Sequence, residues 1–293
     1  MSEFHDVTLD NVSQKAAALS QRYCLRLNTV AGEKACSLSD KMCVRVTITA
    51  DTILFNNSTA DFKVREFIFT DRDYNVLSKF ELKTDEPWLV SAVVPYKNFY
   101  IVCYIDTKPK PALYLADIYS DTFNREGELA EIIPFFKDRQ IAFAVSDTAG
   151  GIFFLEAYTG MLHYMADDGQ ITSYNGNFMI PNHASFFNGS LYIADIHKVL
   201  ELRETSNIIA FKDGVFHETG ILGGCIEGCD KLNCFFVTSS FAEKILRKYD
   251  YENNLIFEKN FDYEQNVITP RAIGVNKNHL LIIDGRPYIY DIF

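Results

Sequence analysis

A chain of 293 residues with 39 acidic and 28 basic side chains carries a net charge of −11, which repels phosphate backbones and argues against direct nucleic-acid binding. Hydrophobic residues make up 48%, including 24 Phe and 16 Tyr, enough to give a single all-β domain of this length a sizeable core. The opening residues lack the basic and apolar regions of a secretory signal, and no apolar run approaches ~18 residues, so the expectation is an intracellular protein, cytoplasmic or nuclear, with no membrane segment.

Residues 1–42 form no regular repeat. Within them, Val12 to Gln21 is Ala-rich and reads as a short helix, while Phe4 to Leu9 or Tyr23 to Leu27 could supply a single strand. Residues 43–293 are different. Val44 to Thr49, Thr52 to Asn56, Lys63 to Phe69 and Val76 to Leu82 are four strands separated by polar turns such as Asp71-Arg72-Asp73. Further apolar runs follow at Phe99 to Cys103, Ile141 to Asp147, Leu191 to Asp195, Cys234 to Ser239 and Leu280 to Asp284.

Counting each run as the second strand of a unit puts the unit ends at 57, 103, 147, 195, 239 and 284, with steps of 44 to 48 residues. That is one propeller blade per step. In the fourth unit, Ala184 to Phe187, Leu191 to Ala194, Val199 to Arg203 and Ile208 to Phe211 read as the four strands, with a tight hairpin at Asn188-Gly189. The Gly224 to Cys229 stretch reads as a glycine-rich loop between blades. The sixth unit ends on a third strand, Tyr288 to Phe293, so an N-terminal strand is expected to complete it and close the ring. The predicted fold is a single closed β-propeller of six blades; a degenerate blade within 1–42 would make seven.

The clearest internal match joins Pro181 to Asp195 with Pro270 to Asp284, where proline precedes aspartate by fourteen residues and a four-residue apolar run leads into that aspartate. These units resemble NHL-type repeats and, more loosely, gluconolactonase-type six-bladed propellers. The gluconolactonase resemblance implies a metal ligand at Asn182 in the central channel, although His183 replaces the usual glycine and the family's other ligands find no match here. With no Trp-Asp dipeptide, the WD-repeat family is a poorer match.

Asp147, Asp195 and Asp284 each close an expected second strand and are read as acceptors for backbone N–H groups of nearby turns. His163, His183, His197 and His217 lack the i, i+4 spacing of a helical zinc site and read as loop or strand-end residues. Seven scattered cysteines read as reduced and buried. No Gly-x-Ser-x-Gly elbow, phosphate loop or dinucleotide fingerprint occurs, and no catalytic residue or cofactor is expected.

Loops leaving second strands and those joining blades share one face of a propeller. That face would gather Trp88, Lys108, Tyr174, His197, Phe241, Tyr263 and Arg286 as a partner-binding surface. The functional expectation is a non-catalytic scaffold or accessory subunit that binds another protein, favouring a basic segment. The alternative is a lactonase-like metal-dependent hydrolase using the channel.

Overall fold

The computed structural model describes residues 25–49, 51–85, 87–147, 149–196, 207–239, 244–261 and 272–292. They form six four-stranded antiparallel sheets. Blade one contains Met42–Ile48, Ile53–Ser58, Val64–Thr70 and Val76–Lys83. Blade two contains Trp88–Tyr96, Phe99–Asp106, Leu113–Ser120 and Arg125–Glu128. Blade three contains Ile141–Ser146, Ile152–Glu156, Met161–Met165 and Ile171–Asn175. Blade four contains Pro181–Phe187, Ser190–Asp195, Asn207–Lys212 and Val215–Leu222. Blade five contains Cys225–Cys229, Cys234–Thr238, Ile245–Asp250 and Leu255–Asn260. Blade six contains Ala272–Asn276, His279–Ile283, Pro287–Ile292 and, as its outermost strand, Leu25–Leu27.

The residue pattern explains this layering. Ile53–Ser58 is buried along its whole length, as a strand sandwiched between neighbouring blades must be, while Val76–Lys83 alternates between half-buried and exposed positions at a blade's outer edge. At the hairpin between the first two strands of blade four, Asn188 and Gly189 both have positive φ, as a tight primed turn requires.

Closure joins the two ends of the described chain. Leu25, Arg26 and Leu27 pair with Ile292, Asp291 and Tyr290, and the Asn28 N–H continues the ladder to the Ile289 carbonyl at 2.8 Å. Asn28 then caps a helix, Thr29–Cys36, by accepting from the Ala31 N–H at 3.0 Å. Of the two expected closing strands, the one overlapping Tyr23 to Leu27 closes the ring. The other, Phe4 to Leu9, and the expected helix at Val12 to Gln21 lie outside the described residues.

Three strand assignments differ from expectation. Ile141–Ser146 is the first, innermost strand of blade three; the second is Ile152–Glu156. Both are buried apolar runs, and an aspartate ends the first because Asp147 accepts from the Ala149 and Gly151 N–H groups at 2.7 and 2.8 Å. Asp71 and Asp250 make the same turn contact two and four residues on, so the signal marks a turn without saying which one. In blade four, Ile208 to Phe211 lies in the third strand, and the fourth is Val215–Leu222; Val199 to Arg203 lies outside the described residues. Cys225–Cys229, expected as a loop, is the first strand of blade five. Its Gly228 serves close packing, since a Cβ there would fall 2.1 Å from the Phe187 ring.

Candidate functional site in the central channel

The six first strands line a channel that holds a cavity of about 760 Å³, within the size range of ligand sites. Side chains alternate along a strand, so Arg45 and Thr47, His183 and Ser185, and Glu227 come from positions spaced by two on blades one, four and five.

Arg45 sits at the inner end. From blade one it crosses the ring axis to blade four, where its two terminal nitrogens lie 3.4 and 3.5 Å from the Asn182 carbonyl oxygen. Its guanidinium lies over the Phe143 ring of blade three at 5.4 Å, and its Nε is buried without a hydrogen-bond partner. The Asn182 side chain is already committed, donating through Nδ2 to the Gly224 carbonyl at 2.8 Å. A guanidinium at this point repels a divalent cation, so the geometry lends no support to Asn182 as a metal ligand. Among the described residues, no group of three or more His, Cys, Asp and Glu side chains could hold a metal ion.

Next along the wall, His183 is buried and its Nδ1 accepts from the Ile226 N–H at 3.5 Å. Burial, and then the nearby Arg45 charge, push its pKa down to about 3, so the ring stays neutral. Nearer the mouth, Ser185 Oγ donates to Glu227 Oε1 at 3.2 Å. Burial pushes the Glu227 carboxyl up to about 8, with the serine bond offsetting it in part, so the acid is largely protonated near neutral pH. A cation placed beside it would ionise it.

The mouth opens among turns that follow first strands and turns between third and fourth strands. Asp51, Asp147, Asp167 and Asp230 outnumber Arg72 and Lys97 there. Asp147 also accepts from the Tyr164 hydroxyl at 2.8 Å, and that bond, followed by burial, raises the phenol to about 12. Because Asp147 ends a first strand, it lies on this face, whereas Asp195 ends a second strand on the other. There Asp195 accepts from the Met179 and Ile180 N–H groups at 3.0 and 2.8 Å, a structural role like that expected.

The face expected to bind a partner lies opposite this mouth. Trp88 is half-buried and stacked on Tyr104 at 4.1 Å. Tyr174 lies on the outermost strand of blade three and packs against Phe211 at 4.8 Å. Lys108 and Arg286 are exposed, the latter stacked on Tyr288 at 4.8 Å. His197, Phe241 and Tyr263 lie outside the described residues. The four described residues belong to blades two, three and six, spread round the ring.

A second polar array was not legible as a unit. On blade three, Arg139 donates to Glu156 at 3.1 Å, Glu156 meets His163 Nε2 at 3.0 Å, and His163 Nδ1 meets Ser173 Oγ at 2.9 Å. The bonds Ala166 N–H to Gln170 O and Gly176 N–H to Gly160 O set the ladder's phase, which places His163 opposite Ser173 where no ladder bonds form and side chains come closest. The order carboxylate, imidazole, hydroxyl is that of a nucleophile relay. Here, however, His163 is wholly buried in mid-strand, burial lowers its basicity, and Arg139 already neutralises the carboxylate. A neighbouring cavity of about 290 Å³ is lined by Phe136 and Arg139 but not by Ser173. The array therefore satisfies buried polar groups across three strands, a structural role.

No protein-family model matches the chain, and no curated protein matches it in sequence. Solved structures do match in fold. Virginiamycin B lyase from Staphylococcus aureus is 12% identical with a TM-score of 0.56, over 91% of this chain and 98% of the lyase. A streptogramin B lyase is 11% identical with a TM-score of 0.54, over 91% of this chain and 96% of that one. The calcium-binding protein regucalcin from Agrobacterium tumefaciens is 13% identical with a TM-score of 0.53, over 86% and 89%. At these identities the likeness concerns fold alone: the chain has an all-β six-bladed propeller architecture.

Proposed function

We propose that this chain is a non-catalytic binding subunit that takes a basic segment of a partner protein into the acidic mouth of its channel. The observation that carries this reading is the placement of charge: four aspartates around the mouth, against one arginine and one lysine, with the protonated Glu227 further in. A net charge of −11 steers a basic partner toward the protein from a distance, and the mouth gives that attraction a destination. A lysine or arginine entering the channel would ionise Glu227 and gain a counterion inside a low-dielectric wall. The channel wall is built from the first strands of six hydrogen-bonded sheets, so binding there orders mainly the partner's segment.

Charge removal at the mouth tests this. A tagged chain incubated in native extract should retain a partner in near-equal amount, and the combined Asp51→Asn, Asp167→Asn and Glu227→Gln variant should recover about tenfold less. Its melting temperature should stay close to that of the parent, because Asp51 and Asp167 are exposed and Gln preserves the shape of Glu227. Equal recovery by the variant, or no stoichiometric protein from the parent, would contradict the reading.

A further inference from the structure

We infer that the inner end of the channel is a carboxylate site, built by Arg45 to receive the free C-terminal carboxylate of the inserted segment. This inference rests on the channel reading above and adds the direction of the chain and the chemistry of its tip. A guanidinium offers five N–H donors in a planar fork. At Arg45 the only acceptor among the described residues is one carbonyl oxygen, at the long limit of hydrogen bonding, while Nε has none. No carboxylate among the described residues pairs with it; Glu227, which also lines the channel, is bonded to Ser185. A largely desolvated cation without a counterion is costly, and an anion delivered by a ligand removes that cost.

The walls select which anion. Phe143, Val46 and Ala92 line the cavity with Arg45, and the neutral His183 adds no second charge. One guanidinium matches one monoanionic carboxylate in a bidentate pair, whereas a phosphate dianion would bring more negative charge than Arg45 alone balances. The order of charges selects its source. A small free acid entering by the mouth meets four aspartates before Arg45, and they repel it. A polypeptide C-terminus with a basic side chain just behind the carboxylate meets the same order favourably, its cation at the acidic mouth or at Glu227 and its anion at Arg45. A first strand of five residues, such as Cys225–Cys229, spans roughly 17 Å, so the basic residue should lie within about four positions of the terminus.

The test uses an N-acetylated hexapeptide, Gly-Lys-Arg-Ala-Ala-Val, with a free C-terminus, and the same peptide as its C-terminal amide, titrated into the full chain by calorimetry. The free acid should bind about tenfold more tightly than the amide, and Arg45→Gln should reduce the acid to the level of the amide. Arg45→Lys, which keeps the charge and loses the fork, should retain part of the difference and guards against a folding defect in the first variant. Equal binding of acid and amide overturns the carboxylate site, as does full discrimination by Arg45→Gln or no binding of either peptide at millimolar concentration. Acetylglycine competing as well as the peptide would make a small free acid the occupant and overturn the C-terminal assignment. If acid and amide bind equally but both are lost in the mouth variant, the channel reading stands and only this inference fails.

Discussion

Replacing Glu66 with glutamine should lower the unfolding free energy by about 3 kcal/mol at pH 7. Glu66 lies in the third strand of blade one, fully buried, and accepts from Lys41 at 3.0 Å, Lys79 at 2.8 Å and Asn57 at 3.3 Å. Burial alone would raise its pKa. Hydrogen bonds from Lys79, Ser39 and Lys41 overcome that penalty and hold the carboxyl at about 2, below its ordinary 4.5. Because the folded-state value is depressed, the stabilisation is fully present above the ordinary value and disappears as pH falls through about 2. Glutamine keeps the shape and the Asn57 contact but leaves Lys41 and Lys79 without this charge. Urea unfolding at pH 7 and at pH 3 measures the effect. The gap between parent and variant should shrink at the lower pH, whereas a gap that is constant with pH would show that the lysine pairs are not its source.

Gly228→Ala should cost about 3 kcal/mol, at the upper end of overpacking penalties. The added Cβ would stand 2.1 to 2.5 Å from three atoms of Phe187 on the neighbouring blade. Phe187 cannot step aside cheaply, because it is buried in a ring cluster, stacked on Tyr192 at 4.2 Å and close to Phe235 and Tyr251 at 5.5 and 5.8 Å. The clash therefore pushes apart blades four and five. Phe187→Ala alone also destabilises, by opening a cavity. Combined with Gly228→Ala, however, it should cost less than the sum of the two, since loss of the ring removes two of the three close contacts, leaving the one to the Phe187 Cβ, and the added methyl fills part of the cavity. Strict additivity in thermal unfolding would mean that the two residues do not press on one another.

Gly228 also illustrates which parts of the molecule the sequence disclosed. The repeated Pro181 to Asp195 and Pro270 to Asp284 units revealed the blades, because buried second strands are long apolar runs with strong turn signals. Strand order within blade three was ambiguous for the same reason, since its innermost strand is as apolar as the one beside it. Gly224 to Cys229 looked like a loop because glycine is a turn residue in isolation; only the approach of Phe187 from another blade reveals its role as a packing residue.

The channel was less legible than the ring. Arg45 and Asn182 are separated by 137 residues, and Asn182 and Gly224 by 42, so their contacts depend on closure of the whole propeller. A usable signal was nevertheless present: polar residues spaced by two inside the first strands, at Arg45 and Thr47 and at His183 and Ser185, mark a strand face that looks into water or a cavity. Aromatic residues gave the opposite lesson. Trp88 and Tyr174 look like interface anchors by residue type, yet each ring finds a partner within its own sheet or the adjacent blade. The His163 array has sequence separations of only seven and ten residues, but pairing across three strands is what joins it.

The central claim concerns which end of the ring meets the partner. A photoreactive benzophenone side chain at Tyr96, which lines the cavity near its mouth, and a second one at the exposed Lys108, on the opposite face, would mark the two ends separately. After irradiation in native extract, the account predicts a covalent adduct from position 96, mapping to a basic stretch close to the partner's C-terminus, and little from position 108. Adducts formed only from position 108 would contradict it.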